Sequence, residues 1–189
     1  MDDKNLIDNL ISGDQKAFKS LVDLYADRVF RVCYSFVNHR QNAEDLSQEV
    51  FIEVFRSIAQ FKRESQIGTW LYRIAINKSL NFIRKKKQTQ WLVNFGLLSN
   101  LDEDKTIANN SIPELSAESQ FINQEQKKLL YETIEKLPKN QRIAFTLHKL
   151  DDMSYKEISE IMDVSLSSVE SLLHRAKKGL QEKLLKNFR

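Results

Sequence analysis

Residues 154–180 carry the sequence SYKEISEIMDVSLSSVESLLHRAKKGL, which decides the fold of the C-terminal part of the chain. Ser154 with Glu157 fits a capping box, so a short helix is predicted over Tyr155–Met162. A tight turn at Asp163–Ser165 then precedes a longer basic helix. This order and spacing predict a helix-turn-helix, although the turn lacks the usual glycine.

The second helix of this unit has an apolar face and a face of hydroxyls and cations. Small hydroxyls near its start can approach phosphates or base edges, and cations further along can reach the groove and the backbone. An ordinary amphipathic helix with a solvated basic face is the alternative, and the preceding helix and turn favour DNA. The predicted buried stripe is Leu166, Val169, Leu172, Leu173, Ala176 and Leu180. The opposite face comprises Ser167, Ser171, His174, Arg175 and Lys178, flanked by Ser168.

Composition favours helices in the rest of the chain as well. Only four glycines and two prolines occur among 189 residues, so long stretches lack the turn-forming residues that a many-stranded β protein requires. No run of about 18 apolar residues exists, and the acidic N-terminus lacks the positive region of a secretory signal. We therefore expect an all-α, cytoplasmic protein.

Metal and disulfide chemistry are not expected. Cys33 is the only cysteine, which excludes an internal disulfide and a thiolate-cluster zinc site. Its apolar neighbours predict a small buried side chain and not a reactive thiol. The three histidines, His39, His148 and His174, are isolated and have no metal-ligand spacing. We expect no metal, no other cofactor and no small-molecule substrate.

Apolar residues recur at helical spacing over residues 6–36 as well. The sequence NHRQNAED breaks this pattern, and Asn42 is a good N-cap for a helix that runs to about Ala59. Glu44 and Asp45 would then lie in the first turn, where the helix dipole favours anions. The predicted inner face of this helix comprises Leu46, Val50, Val54 and Ile58.

The segment GTWLYRIAINKSLNFIRKKK, residues 68–87, is predicted to form the last helix of this half, ending in the run Arg84–Lys87. On a helical wheel, aromatic, amide and guanidinium groups fall within about 80° of one another, and apolar residues occupy the far arc. Aromatic rings suit unpaired bases, and amides and cations suit base edges and phosphates. The alternative is a tryptophan in the core beside a solvated cationic helix end. The position of all these residues on one face of the helix disfavours it. The stripe comprises Trp70, Arg73, Asn77, Asn81, Arg84 and Gln88.

Charge and periodicity divide the chain. Residues 61–90 carry eight cations and one anion, residues 171–189 carry six and one, and residues 91–124 carry one cation and five anions. Two basic islands beside an acidic connection suit two contacts with one polyanion. Residues 91–122 lose helical periodicity, so we expect helical domains over 1–90 and 123–189 with a flexible linker over 91–122. The apolar residues within 91–98 would either pack back on the first domain or dock a partner.

Asp45, Gln48 and Glu49 lie together on the polar side of the helix that follows Asn42, beside Leu46. Two carboxylates at this spacing could serve acid–base catalysis or a metal, but no histidine or third acid stands nearby in the sequence. The chain also contains no glycine-rich phosphate loop. A solvated face, or one docked to a basic protein, is therefore favoured over an enzyme site.

Together these stretches resemble a bacterial RNA polymerase sigma factor of the small, two-domain extracytoplasmic-function (ECF) type. NAEDLSQEVFIEVFR, Asn42–Arg56, is similar to the helix by which sigma factors grip the β′ clamp helices of the polymerase. The segment 68–87 is similar to the part that melts promoters and reads the −10 element, and Leu137–Leu180 to the −35-binding helix-turn-helix domain. SGDQKAFKSLVDLYADRVFRVCY near the start also fits. The resemblance covers nearly all of the chain except the linker.

The resemblance implies a non-catalytic subunit that binds core RNA polymerase through the β′ clamp helices and the β subunit, recognises promoter DNA and helps to melt it. It also implies an anti-sigma antagonist, often membrane-anchored, and association of the holoenzyme with the nucleoid. The implied contacts with core polymerase are Asp45, Leu46, Gln48 and Glu49. The implied −10 contacts are Phe61, Lys62, Arg63, Ser65, Trp70, Arg73, Asn77, Asn81, Arg84 and Lys85, with the loop at 61–65 capturing an extruded base. The implied −35 contacts are Ser165, Ser167, Ser168, Ser171, His174, Arg175 and Lys178.

Three positions depart from the family pattern. Asn81 stands where many relatives have aspartate, which puts the −10 preference in question, and Glu170 and Leu172 stand where relatives often carry lysine and arginine. A stand-alone helix-turn-helix regulator would leave the N-terminal half unexplained. A nucleic-acid enzyme would need metal-binding acids near the basic stripe, and a protein-only adaptor would leave both basic islands unused.

Overall fold

The computed structural model describes the backbone of residues 3–94 and 129–187, and the side chains of residues 5–91 and 129–185. These residues form helices and turns with no strand among them, which confirms the all-α prediction. The chain divides into two compact units, Met1–Thr106 and Ile107–Arg189. Most of the predicted linker lies outside the described residues, so its bounds stay a prediction.

Residues 3–94, the described part of the first unit, form four α-helices. They are α1 (Asp3–Ile11), α2 (Gln15–Val37), α3 (Arg40–Ser57) and α4 (Ile67–Asn94), with a single 3₁₀ turn (Ile58–Gln60) after α3.

Local backbone chemistry sets the turns around α2. Gly13 has a φ of 82°, a left-handed conformation that glycine adopts without a Cβ penalty. Asp14 then caps α2, because its carboxylate accepts a hydrogen bond from the backbone N–H of Lys16 at 2.8 Å. At the other end, Asn38 adopts a φ of 48° and donates its backbone N–H to the carbonyl of Tyr34 at 2.8 Å. The chain therefore reverses between α1 and α2 and again before α3.

Helix α3 begins earlier than predicted. Its N-cap is His39 and not Asn42, since His39 Nδ1 accepts a hydrogen bond from the backbone N–H of Asn42 at 3.3 Å. The predicted cap was wrong because an imidazole nitrogen supplies the acceptor that an asparagine side chain would have supplied. Glu44 and Asp45 consequently lie beyond the first turn of α3.

Helices α2, α3 and α4 pack around one core. The predicted inner face is confirmed, because Leu46, Val50 and Val54 of α3 and Ile58 of the 3₁₀ turn are all buried. Cys33 of α2 is also fully buried, as predicted for a small apolar side chain. Against them pack Leu71 and Ala75 of α4, neither of which is accessible to solvent. One face of α4 is therefore held by the core, and the opposite face is accessible to solvent.

Gly68 allows α4 to approach α2 closely. A Cβ at this position would lie 2.9 Å from Cε1 and 3.1 Å from the hydroxyl oxygen of Tyr25. The Tyr25 ring in turn packs edge-on against Tyr72, with ring centroids 6.4 Å apart. Glycine therefore makes room for an aromatic side chain at the start of α4, two residues before Trp70.

Helix α4 extends beyond its predicted end. The sequence predicts an end in the run Arg84–Lys87, but the helix continues to Asn94. Seven further residues, four of them assigned to the linker by their pattern, are helical because backbone hydrogen bonding propagates cheaply once a helix is formed.

The second unit contains α5 (described over residues 129–135), α6 (Lys139–Lys149), α7 (Tyr155–Met162) and α8 (Leu166–Asn187). Ile134, Leu137, Ala176 and Leu180 form a buried cluster that holds α8 against the preceding chain. The unit also encloses Arg142 of α6, and burial lowers the pKa of its guanidinium, an effect that Glu135 partly offsets.

The helix-turn-helix forms as predicted. Ser154 and Glu157 make a complete capping box at the start of α7. After Met162, Asp163 takes a φ of 56° and fills the left-handed position that a glycine usually occupies in this turn. The turn thus keeps its geometry without glycine.

Candidate nucleic-acid interface

The predicted stripe of α4 lies on the face that points away from the core. Asn77, Asn81 and Arg84 are exposed, whereas Leu71 and Ile76 on the far arc are buried. Arg73, closer to the start of the helix, is half-buried. Amide and guanidinium groups therefore line one accessible face of α4, which we call the ridge. It comprises Arg73, Asn77, Asn81 and Arg84.

Trp70 stands at the start of this ridge and is anchored by Phe61. The two rings are tilted by 38° with centroids 5.1 Å apart. Phe61 is only 8% exposed, whereas Trp70 is half-buried. Phe61 therefore supports Trp70 from below, and Trp70 retains surface for contact with another ring.

The loop before α4 is held against α1. Arg63 adopts a φ of 59° and pairs with the carboxylate of Asp8. Lys62 is exposed beside it, and Ser65 is half-buried. The ion pair contributes at most about 1 kcal/mol because both side chains are partly solvated. The ion pair holds the loop against α1, and Lys62 remains accessible beside the first turn of α4.

At its other end, the ridge leads into the basic run. Arg84, Lys85, Lys86 and Lys87 are all exposed. Helix α4 has no acidic residue along its 28 positions, so no side chain of the helix itself neutralises these cations. The field of this helix attracts a polyanion.

Helix α3 presents a second surface. Asp45, Gln48 and Glu49 are exposed together, but Leu46 is only 4% exposed and belongs to the core. Leu46 therefore packs beneath the exposed side chains of this surface.

Two exposed apolar residues extend this α3 surface, and the sequence analysis did not identify them. Ile52 is 51% exposed and Phe55 is 57% exposed. Phe55 packs edge-on against Phe18 of α2, with centroids 5.2 Å apart. Ile52 follows Gln48 and Glu49 at helical spacing, and this spacing was the available sequence signal. Charged and apolar groups thus share one exposed surface, which we call the α3 face: Asp45, Gln48, Glu49, Ile52 and Phe55.

Lys78 of α4 links the α3 face to the helix that carries the ridge. Its Nζ lies 3.6 Å from Glu49 Oε2 and 3.5 Å from Glu53 Oε2. Lys78 is about one quarter exposed, with 26% of its side-chain surface accessible, so each pair contributes at most about 1 kcal/mol. The two pairs align α3 with α4 by charge as well as by packing.

In the second unit, hydroxyl groups gather at the start of α8. Ser165 Oγ accepts the backbone N–H of Ser168 at 3.2 Å and lies 3.0 Å from Ser167 Oγ and 2.8 Å from Ser168 Oγ. Ser165 therefore acts in part as a cap. These hydroxyls and the backbone N–H groups of the helix start offer several donors to a phosphate or a base edge.

Further along α8 the cations are exposed. Arg175 donates to the Ser171 backbone carbonyl at 3.2 Å and to Ser171 Oγ at 2.8 Å, which orients its guanidinium along the helix. His174 and Lys178 are exposed on either side of it. Glu170 is exposed as well, and it lowers the positive field of this face.

The predicted buried stripe of α8 is correct for four of its six residues. Val169, Leu173, Ala176 and Leu180 are buried, and Leu172 is half-buried. Leu166, however, is 52% exposed, because it is the first residue of α8. The prediction for Leu166 was wrong because the position of a residue on a helical wheel does not show whether another helix packs against it.

A mostly apolar groove of about 600 Å³ lies beside α8 in the second unit. Leu130, Phe145, Tyr155, Leu173 and Leu184 are among the residues that line it. His148 lies at the groove, where its ring packs edge-on against Tyr155 with centroids 5.0 Å apart and its Nδ1 lies 3.1 Å from the carbonyl oxygen of Met153.

Among the side chains of residues 5–91 and 129–185, no cluster of three or more histidine, cysteine or acidic groups could hold a metal ion. Within the described helices, none has the length and hydropathy of a membrane span.

Comparison with known proteins identifies both units. Residues 21–89 match the family model for sigma-70 region 2, and residues 127–180 match that for sigma-70, region 4. The chain is 32% identical over 182 residues to the ECF RNA polymerase sigma-E factor of Haemophilus influenzae, covering 96% of this chain and 95% of that one. It is 33% identical over 184 residues to the ECF RNA polymerase sigma factor SigW of Bacillus subtilis, covering 96% of each.

Solved structures with the same fold include CnrH in complex with the cytosolic domain of CnrY. That chain has a TM-score of 0.63 and 21% identity, with 96% of each chain covered. The sigma factor RpoE in complex with the anti-sigma factor NepR from Bartonella quintana has a TM-score of 0.57 and 20% identity, covering 89% of this chain and 97% of that one.

Proposed function

The chain belongs to the extracytoplasmic-function sigma factors of bacterial RNA polymerase, and we propose how its residues divide the work of that family. As a sigma factor it recruits RNA polymerase to specific promoters and initiates transcription there. Sigma factors are non-catalytic initiation factors, so we assign no covalent step to any side chain. The first unit corresponds to region 2 and the second to region 4.

In our proposal the ridge of α4 reads the −10 element. The observation that carries this assignment is the accessible line of amides and guanidinium groups opposite a buried face. Asn77 and Asn81 suit base edges, and Arg84 and Lys85 suit phosphates. The domain that binds −10 DNA spans residues 1–90 in this proposal, with α4 extending past it.

Trp70 helps to hold the melted strand. A base stacked on an aromatic side chain contributes about 1–3 kcal/mol, and opening a DNA step costs about 1.4 kcal/mol. Capture of one base by Trp70 and the loop at 61–65 therefore offsets the opening of about one or two steps. Phe61 contributes by supporting Trp70, and Lys62, Arg63 and Ser65 line the path of the captured strand.

Core polymerase docks on the α3 face. Ile52 and Phe55 supply apolar area, while Asp45, Gln48 and Glu49 pair with basic and polar groups of the β′ clamp helices. Burial of a large aliphatic side chain contributes about 1.5–3 kcal/mol, so the exposed half of Ile52 accounts for about 1 kcal/mol. We propose that the apolar groove beside α8 receives a segment of the β subunit.

Helix α8 reads the −35 element. Ser165, Ser167 and Ser168 contact phosphates or bases at its start, and Ser171, His174, Arg175 and Lys178 extend the contact. Leu166 joins this set because an exposed aliphatic group at the start of a recognition helix can contact a thymine methyl. Because Glu170 and Leu172 are not cations, α8 binds DNA phosphates more weakly than a helix with cations at both positions would.

The partners follow from family membership. We propose an anti-sigma factor as antagonist, because solved structures with this fold include the sigma factor RpoE in complex with the anti-sigma factor NepR. We also propose that the protein acts in the cytoplasm and joins the nucleoid as part of the holoenzyme.

Run-off transcription with core polymerase and fragments of the host genome tests this function. Wild-type protein is expected to confer initiation at discrete sites. Asn77→Ala combined with Asn81→Ala should lower initiation at those sites and leave polymerase binding unchanged. Asn5→Ala with Asn9→Ala on α1 provides a matched control, since these asparagines lie outside the ridge. No promoter-dependent initiation by the wild type would reject the function, and a duplex footprint without polymerase would favour a stand-alone regulator.

A further inference from the structure

Trp91 is exposed near the end of α4. From their sequence, the apolar residues within 91–98 either pack back on the first domain or dock a partner. In the structure Trp91 belongs to α4 and is 54% exposed. An indole with this much accessible surface, in the part of α4 over residues 84–91 where every side chain is exposed, is a candidate for contact with another molecule.

Trp91 lies on the same side of α4 as the ridge. At about 100° per residue, Trp91 points within about 20° of Arg84 and in about the same direction as Arg73. Because α4 is one continuous helix from Ile67 to Asn94, this direction follows from helix geometry. The ridge therefore begins with an aromatic residue, Trp70, and ends with another, Trp91.

The charge around Trp91 indicates which class of molecule would bind there. Six cations and no anion occur on α4, and Lys85 and Lys87 lie within two turns of Trp91. Aromatic rings set among cations are typical of surfaces that bind nucleic-acid strands. Continuity with the asparagines and arginines of the ridge favours DNA over an acidic protein.

We propose that Trp91 is a further DNA contact, whose indole packs against a nucleotide that flanks the −10 element. This inference rests on the proposed role of α4. Trp70 and Trp91 are separated by roughly 32 Å of helix, which corresponds to about nine base pairs of duplex. Trp91 therefore contacts DNA outside the few base pairs that Trp70 and Asn77 engage, and the cations between them hold the intervening phosphates.

Holoenzyme affinity for two DNA probes tests the proposal. The long probe contains a promoter identified by run-off transcription with its flanking duplex, and the short probe contains the −10 element alone. On the long probe, Trp91→Ala should weaken binding about 5- to 10-fold, at the lower end of the stacking range. Trp91→Phe should retain affinity, and Trp91→Leu should lose it, because leucine is apolar but cannot stack. The short probe should bind all variants equally.

Leu24→Ala serves as the control, since Leu24 is 63% exposed and lies on α2, away from the ridge. It should bind both probes as the wild type does. Equal affinity of Trp91→Ala and wild type for the long probe would overturn the proposal, and so would an equal loss on both probes. Failure of the wild-type holoenzyme to bind the long probe would instead count against the role of α4.

A spectroscopic experiment reports on Trp91 directly. The chain has two tryptophans, so Trp70→Phe leaves Trp91 as the only one. Incorporation of 5-hydroxytryptophan allows excitation at wavelengths where the ordinary tryptophans of polymerase absorb little. Emission should change when the long probe binds to the holoenzyme. A change on addition of core polymerase alone, or a loss of polymerase affinity in Trp91→Ala, would show a protein contact and reject the DNA contact.

Discussion

Replacement of Gly68 by alanine is expected to destabilise the first unit by about 1 kcal/mol, the balance of two opposed effects. Alanine is favoured over glycine within a helix by up to about 1 kcal/mol. Against this, the new Cβ would lie 2.9 Å from Tyr25 Cε1, closer than any ordinary carbon contact. Overpacking of this kind costs about 1–3 kcal/mol. The ring of Tyr25 must yield, and its edge contact with Tyr72 limits where it can go.

Thermal unfolding followed by tryptophan emission measures this change, because Trp70 and Trp91 both belong to the first unit. For a domain of this size, 1 kcal/mol corresponds to a fall in Tm of about 4–8 °C. The sign should reverse in a Tyr25→Ala background, where alanine at position 68 meets no ring and keeps only its helical advantage.

Gly179→Ala is the matched control for this substitution. Its Cβ would meet only Leu137 Cδ2 at 3.6 Å, an ordinary contact, so circular dichroism should show a gain in stability of the second unit. If Gly68→Ala left Tm unchanged or raised it in the wild-type background, the close approach of α4 to Tyr25 would not constrain the fold.

Three further predictions concern caps, docking and DNA. Ser154→Ala should lower the free energy of unfolding of the second unit by about 1 kcal/mol through loss of the capping box, measured by urea denaturation, and no loss would show that the box is dispensable. Ile52→Ala should weaken core polymerase binding about five-fold in an anisotropy titration, with Leu24→Ala unchanged; equal effects would remove Ile52 from the docking face. Lys85→Ala should reduce the slope of log affinity against log salt by about 1 for promoter binding, and an unaltered slope would mean that Lys85 contacts no phosphate.

Local sequence signals accounted for much of the fold and of the proposed site. The capping box at Ser154 placed α7 at its observed residues, and helical spacing identified the buried face of α3. The ridge on α4 was also predictable, since residues that recur at helical spacing share a face wherever the helix lies. These features depend on neighbours within one or two turns, and the order of residues along the chain specifies those neighbours.

Other features depended on contacts between helices. Packing placed Phe61 in the core, while the first turn of α8 left Leu166 uncovered. Lys78 meets Glu49 and Glu53 only because α3 and α4 lie side by side. Such distances depend on how helices far apart in sequence come together, which no local pattern records. The sequence therefore determined which residues share a face of each helix, and tertiary packing decided which side chains on that face remain accessible to a partner.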